Sequence, residues 1–133
     1  MITQDIQALR AHFIANFDPG SVPVIYDNQP TVSIPEGSLW MRFSVVPGAS
    51  FHDAGSAQDG VMIQQGRVWL QVFTPEQRGD GEALALADAF ATAFRNKRID
   101  TIMMKTEEFG SRDNRDGYQM ISLSIPWESL RRY

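Results

Sequence analysis

Residues 67–94 read RVWLQVFTPEQRGDGEALALADAFATAF, and this stretch holds the two patterns that decide the fold. In its first seven residues, the apolar side chains of Val68, Leu70 and Val72 recur at every second position. A period of two predicts a β-strand, because successive side chains of a strand point to opposite faces. After a turn-rich linker, residues 81–97 are apolar almost all round, which predicts a helix buried against a sheet.

One residue of this stretch and one just before it carry predictions of their own. The carboxylate of Asp80 is expected to cap the helix, because it can accept hydrogen bonds from the free N–H groups of the first turn. Gly66, near the start of the alternating pattern, is expected to mark a β-bulge. The strand itself is predicted to run from about residue 61 to residue 73.

The segments before this stretch repeat the same two patterns. Residues 3–17 place apolar side chains at steps of three and four, which predicts an amphipathic helix that ends at the following Pro-Gly pair. Residues 39–46 alternate with period two and predict another long strand. Between them, residues 22–37 hold three prolines and predict a short strand followed by an irregular connector. Residues 47–60 are rich in Gly, Ala, Ser and Asp, and we expect a long mobile loop there.

The segments after the helix predict two more strands, at residues 99–106 and 118–127. Asp116 and Gly117, between these strands, form a strong turn signal. The predicted order is therefore helix, short strand, two long strands, helix and two further strands. This order is typical of an α+β fold, with a single mixed or antiparallel β-sheet flanked by two α-helices. We expect residues 1–133 to form a single domain.

The composition narrows the possible functions. The net charge of −4 and the pI near 5.0 argue against a general nucleic-acid binder, which would carry a clustered basic face. The chain has no cysteine, which excludes disulfides, thiolate catalysis and zinc–cysteine sites. It shows neither a signal peptide nor an apolar run of the roughly 18 to 20 residues that span a membrane. We therefore expect a protein of the aqueous cytoplasm.

Few residues of the chain suggest chemistry. The near-neutral bases are His12 and His52, and neither belongs to a catalytic or metal-binding motif. Residues 112–117 resemble a calcium loop at first sight. However, aligning the loop on its glycine puts Arg112 and Leu123 where carboxylates are required. These residues are better interpreted as a solvated hairpin loop.

The adjacent carboxylates Glu107 and Glu108 do not form an acid–base pair, because neighbours on a strand point to opposite faces. We therefore expect no enzyme activity, no cofactor and no metal. The alternative is a small metal-dependent hydrolase or nuclease whose activity would depend on Asp113 or Asp116.

The second face of the predicted sheet carries aromatic and basic residues. Such aromatic residues usually pack against a helix or a neighbouring subunit. A stacking platform for single-stranded nucleic acid is an alternative that the acidic net charge disfavours. A peptide-binding module that uses the strand edge at residues 23–32 is another. The candidate interface residues are Trp40, Arg42, Phe51, His52, Asp53, Arg67, Trp69, Arg112 and Arg115.

Several of these elements together carry a family resemblance. They are the helix at 6–17, the strands at 39–46 and 67–75, the linker and helix at 79–94, and the strand at 118–127 with its Ser-Ile-Pro-Trp ending. Over residues 5–128, the chain resembles the tail terminator proteins of long-tailed phages, the minor tail protein U-like group and related tail-completion families.

This resemblance implies a virion structural protein. Proteins of this group form a hexameric ring on the end of the tail tube, assembled in the host cytoplasm and retained in the virion tail. The implied partners are further copies of the chain, the tail tube protein and the head–tail connector. DNA would be met only as it passes through the lumen, and no membrane is involved. The alternative within the same particle is a head–tail connector or neck protein.

Overall fold

The computed structural model of the protein describes residues 2–27, 37–53, 61–76, 79–115 and 117–132. Within these ranges, two helices and seven strands follow one another along the chain. They are α1 (Ile2–Asn16), β1 (Val24–Tyr26), β2 (Trp40–Asp53), β3 (Val61–Pro75), α2 (Gly81–Phe94), β4 (Arg98–Ile99), β5 (Ile102–Met104), β6 (Glu108–Arg115) and β7 (Tyr118–Arg132).

The described strands form one mixed sheet, which confirms the predicted α+β class. Its order is β1-β2-β3-β7-β5-β4. β6 and β5 pair with the same edge of β7, β6 along its first half and β5 along its second half. β1 runs parallel to β2, and every other pair is antiparallel. The long strands β2, β3 and β7 therefore make the centre of the sheet, while β1, β4 and β6 lie at its edges.

Both helices pack on one face of this sheet around a cluster of phenylalanine rings. Phe13 of α1 stacks on Phe43 of β2 with ring centroids 4.0 Å apart. Phe90 and Phe94 of α2 complete the cluster, at 6.3 and 6.2 Å from Phe43. All four side chains are at most 1% exposed. Aromatic burial of this kind is among the largest stabilising contributions that a residue can make, so this cluster fixes both helices on the sheet.

A buried ion pair ties the first helix to the last strand. Asp5 is 1% exposed, and its carboxylate accepts hydrogen bonds from the guanidinium of Arg131 and the hydroxyl of Ser129. On the same helix, the ring nitrogen Nε2 of His12 donates to the carbonyl oxygen of Ala93, at 2.7 Å. His12 therefore links the two helices. No helix among the described residues is long and apolar enough to cross a membrane.

The prediction of a mobile loop at residues 47–60 is wrong over its first half. β2 continues to Asp53 and pairs with β3 throughout, apart from a bulge between Pro47 and Ser50. Residues 54–60 lie outside the described residues. The bulge is thus on β2, opposite the predicted position at Gly66. A proline is tolerated here because β2 has only β3 as a described neighbour at this level, and an edge strand can do without one N–H donor.

Gly66 has a different role from the predicted one. A Cβ atom at this position would lie 2.4 Å from Cζ2 of Trp127 and 2.7 Å from the carbonyl oxygen of Val46. The missing side chain therefore lets the indole of Trp127 lie directly against the backbone of β3. This close approach is the reason for a glycine in the middle of a long strand.

The C-terminal half differs from the prediction in four ways. Residues 108–115 form strand β6, which takes in the first four residues of the solvated hairpin loop expected at residues 112–117, and the turn at Gly117 follows with a φ of 81°. The strand predicted at 99–106 is divided into β4 and β5, with Asp100 at a positive φ of 53° between them. β7 extends beyond the predicted end to Arg132. The predicted extension of α2 to residue 97 is also wrong, because that helix ends at Phe94.

Candidate functional site

The face of the sheet opposite the helices is covered by no described helix, and we call it the open face. Strand alternation decides which residues it carries: Met41 and Phe43 point into the core, so Trp40 and Arg42, which alternate with them, point away from it. The same alternation in β3 and β7 adds further residues. Besides Trp40 and Arg42, the open face carries Ser44, Val46, Arg67, Trp69, Gln71, Phe73, Tyr118, Met120, Ser122, Ser124, Pro126 and Glu128.

One end of the open face is aromatic. Trp40 stacks on its cross-strand neighbour Phe73, with ring centroids 3.9 Å apart and ring planes 6° from parallel. Tyr118 meets Trp40 edge to face at 6.4 Å. Met120, paired with Phe73, is only 5% exposed beside these rings. This end is therefore a preordered apolar surface that needs little rearrangement to bind another protein.

The middle of the open face is polar and held in place by hydrogen bonds. The guanidinium of Arg67 donates to Glu108 at 2.7 Å and to the hydroxyl of Ser124 at 3.0 Å. Trp69 reaches across β7 as far as β6, because a Cβ atom at Gly110 would lie 3.0 Å from its ring. Ser124, the cross-strand neighbour of Trp69 on β7, is 1% exposed.

A cleft of about 360 Å³ opens where β2 bulges. It is lined by residues 46–49 of β2, 65–67 of β3 and 126–128 of β7, together with Lys105. The ammonium group of Lys105 lies 3.8 Å from the carboxylate of Glu128, so these two charges balance each other. An extra residue in a strand bends it and increases its twist, which accounts for the opening at this point.

The structure gathers five of the nine predicted interface residues on the open face. They are Trp40, Arg42, Phe51, Arg67 and Trp69. Arg112 is not with them: it faces the helices, and its guanidinium pairs with Asp80 at 3.1 Å. The side chains of His52, Asp53 and Arg115 lie outside the described residues.

The contact of Arg112 also corrects the expected role of Asp80. Asp80 occupies the N-cap position of α2, but its side chain makes no capping hydrogen bond. Its carboxylate is directed to the sheet edge because Arg112, on the unpredicted strand β6, offers a charged donor. The side chain thus connects α2 to β6 and leaves the first turn of the helix uncapped by that residue.

Sequence reasoning missed three of the apolar residues at the far end of the open face, Ile63, Met103 and Leu130, although it included Phe51. Phe51, Ile63 and Leu130 are cross-strand neighbours there, and Met103 lies on the same face beside Glu128. The signal for Leu130 was present, since the alternation of β7 continues past Trp127. Phe51 was assigned to a loop, so its position in the sheet could not be anticipated.

The titratable groups around the sheet form ion pairs with structural roles. Arg95, at the end of α2, donates to Glu107, and this hydrogen bond holds the pKa of the carboxyl below its ordinary value of 4.5. Burial raises the pKa of the Tyr26 phenol above 10.0, partly offset by the nearby charge of Arg10.

Among the described residues, no group of three or more His, Asp or Glu side chains is placed to hold a metal ion. The arrangement is suited to binding another macromolecule through an apolar and hydrogen-bonding surface.

Comparison with known proteins agrees with this interpretation. Seventeen chains of known structure match this chain. One of them, from a protein identified only by a serial label, has a TM-score of 0.65 and is 18% identical. The match covers 96% of each chain, which shows a shared fold. No curated protein matches the chain. The family model described as phage tail terminator protein matches residues 6–127, nearly the whole chain. The chain therefore belongs to the phage tail terminator family and is a structural component of the phage tail.

Proposed function

We propose that this tail terminator forms a closed, hexameric ring on the end of the tail tube, ends tube polymerisation and provides the surface for head–tail joining. The family match over residues 6–127 carries the proposal. The shape of the molecule supports it, since a sheet with helices on one face has two chemically different sides.

A ring of identical subunits repeats one head-to-tail contact, and closure limits the number of copies. Such a contact needs two different surfaces on each subunit. The open face and the helix-bearing face provide them, because they share no residues and point in opposite directions. A closed ring also has two unlike ends, so one end can bind the tail tube while the other presents a surface to the connector.

The open face offers the apolar area that a stable subunit contact requires. Obligate interfaces have apolar cores in which aromatic residues and arginine are enriched and unpaired charges are rare. Trp40, Phe73 and Trp69 provide the aromatic part, and Arg67 is already paired with Glu108. Burial of this face would therefore leave few charges without partners.

The proposed partners are further copies of the chain, the tail tube protein and the head–tail connector. A structural role without enzyme activity and assembly in the host cytoplasm are part of the same proposal. The DNA would meet only the inner wall of the ring, where an acidic protein surface would repel the phosphates and let it pass. The neck or connector protein is the alternative, and it differs in the first partner that it binds.

Binding to tail tube protein and to connector protein of the same phage tests the proposal. The immobilised chain should retain tube protein without added connector, and addition of the chain to polymerising tube protein should shorten the tubes seen by electron microscopy. Retention of connector protein with no effect on tube length would favour the neck-protein alternative and would contradict the terminator role.

A further inference from the structure

The side of α2 that points away from the sheet is exposed, and we call it the outer face. Leu84, on this side, is 37% exposed. The outer face consists of Gly81, Glu82, Leu84, Ala85, Asp88, Ala89 and Thr92. Only two of these residues are charged, although the exposed side of an amphipathic helix is normally rich in charged side chains. Because a helix that is apolar nearly all round is typically buried all round, this face is suited to a contact with another chain.

The two charges of the outer face, Glu82 and Asp88, are both negative. Among the described residues, none donates a hydrogen bond to the carboxylate of Asp88. The charge of Arg95 acts on this carboxylate through space, but the guanidinium of Arg95 is hydrogen-bonded to Glu107. A partner of the outer face should therefore be apolar and carry a positive charge, because complementary charges set the orientation of an interface.

The aromatic end of the open face carries a charge of this kind. Arg42 is exposed, and it forms no hydrogen bond or salt bridge within the described part of the chain. It lies two residues from Trp40 on β2, and its cross-strand neighbour Gln71 lies two residues from Phe73 on β3. Arg67, further along the open face, is bound to Glu108. Arg42 is therefore a cation beside the aromatic rings that is free to pair with a partner.

The outer face of α2 and the aromatic end lie back to back on the same part of the sheet. α2 packs on β3 and β7, the strands that supply Phe73 and Tyr118 to the aromatic end. Asp80, at the start of α2, pairs with Arg112 of β6, which adjoins the cross-strand neighbour of Met120. A second copy placed behind the first, along the normal of the sheet, would therefore bring its aromatic end against the outer face.

We propose that the outer face of α2 in one copy packs on the aromatic end of the next copy, with Asp88 opposite Arg42, and that this is the repeated contact of the ring. The inference rests on the proposed ring function and names its interface. The side chains of Ala85 and Ala89 are short, so the aromatic rings can approach the helix backbone. Because the two surfaces differ and face in opposite directions, the contact is head-to-tail and continues until the ring closes.

Charge reversal tests the pairing of Arg42 with Asp88. Arg42→Glu should raise the protein concentration needed for half-assembly at least about tenfold, because like charges across an interface repel each other. Asp88→Arg should have a similar effect, since it places two cations in contact. The double variant Arg42→Glu with Asp88→Arg restores an opposite pair and should assemble within about threefold of the wild-type concentration, as coupled sites do. A double variant that assembles no better than either single variant would overturn the proposed pairing.

Cysteine crosslinking tests the same contact through distance, because the natural chain contains no cysteine. A variant with both Gln71→Cys, on the open face beside Arg42, and Ala85→Cys, on the outer face of α2, is oxidised and separated on a non-reducing gel. The expected result is a ladder of covalent species that ends at six chains. Each single variant should stop at two chains, and a double variant that gives no more than this would contradict the contact.

Arg98→Glu is the matched control for the charge reversals. It makes the same change of charge on β4, where the guanidinium of Arg98 donates to the backbone carbonyl of Asp100. The concentration for half-assembly should change by less than about twofold, because an exposed charge outside the contact contributes little. Circular dichroism spectra that match the wild-type spectrum would show that the charge variants are folded.

The two proposals fail in different ways. If wild-type protein and Arg42→Glu form equally stable hexamers, the ring exists but uses another interface, and the present inference is wrong. It is also wrong if Arg42→Glu keeps its hexamers but no longer retains tail tube protein, because the open face then binds the tube. If wild-type protein shows no oligomers at any concentration and the double cysteine variant shows no crosslinks, the proposed self-assembly fails together with the inference.

Discussion

Gly66→Ala should destabilise the protein far more than the addition of one methyl group suggests. The new Cβ atom would lie 2.4 and 2.6 Å from Cζ2 and Cε2 of Trp127, and 2.7 Å from the carbonyl oxygen of Val46. All three distances are well inside van der Waals contact. Trp127 is 1% exposed, and Val46 is held by its pairing with Arg67, so neither can move freely.

The size of the effect follows from the cost of overpacking. Forcing extra atoms into a well-packed site costs typically about 1–3 kcal/mol, and a clash with both a buried indole and a backbone carbonyl belongs at the upper end. We expect a loss of about 2–3 kcal/mol in the free energy of unfolding. With an m-value of about 2 kcal/mol per molar urea, the unfolding midpoint should fall by about 1–1.5 M.

Urea unfolding at one fixed protein concentration, followed by tryptophan fluorescence, measures this difference. Gly81→Ala is the matched control, because it adds the same methyl group at the first residue of α2 and meets nothing within 4 Å. That variant should be as stable as the wild-type protein or slightly more stable. A Gly66→Ala protein with an unchanged midpoint would refute the close packing of Trp127 on β3.

Three further changes test other parts of the structure. Phe43→Ala removes the ring on which Phe13 stacks and should cost about 3–5 kcal/mol, seen as a lower melting temperature or as a failure to fold. Asp5→Asn breaks the buried pair with Arg131 and should cost about 2–3 kcal/mol in urea unfolding, whereas Asp88→Asn on the exposed side of α2 should have little effect. The pKa of Glu107 is lowered in the folded state by Arg95, so its contribution to stability is complete above pH 4.5 and is lost as the pH falls through the lowered pKa. Stability measured between pH 6 and pH 3 should therefore fall less steeply in Glu107→Gln, and identical slopes would show that this pair contributes nothing.

The elements with clean periodicity were predictable from the sequence. Apolar residues at every second position located the centres of β2, β3 and β7, and steps of three and four located α1. These patterns reflect burial on one face, which is the strongest signal that a sequence carries about local structure. The position of Trp40 and Trp69 on the open face followed from the same alternation.

β6 could not be predicted in this way. Its sequence, EFGSRDNR, contains glycine, aspartate and asparagine, which are rare in strands and common in turns. The segment is a strand because β7 offers a partner along its first half, and that partner is distant from the local pattern. The role of Asp80 was missed for the same reason, since Arg112 reaches it only once β6 is in place.

The continuation of β2 was hidden by its own bulge. Pro47, Gly48, Ala49 and Ser50 resemble a loop because a bulge, like a loop, tolerates residues that lack an N–H donor or a side chain. Pairing resumes at Ser50 opposite Gln64. As a result, the cleft that opens at this bulge could not be predicted from the sequence.

The ring is the central claim, and native mass spectrometry of the purified protein tests it most directly. Spectra are recorded over a range of protein and magnesium concentrations, where six copies of the 15.0 kDa chain give about 90 kDa. A closed species at this mass, with no larger species as the concentration rises, is the predicted result. A stable dimer that does not assemble further would contradict the head-to-tail ring.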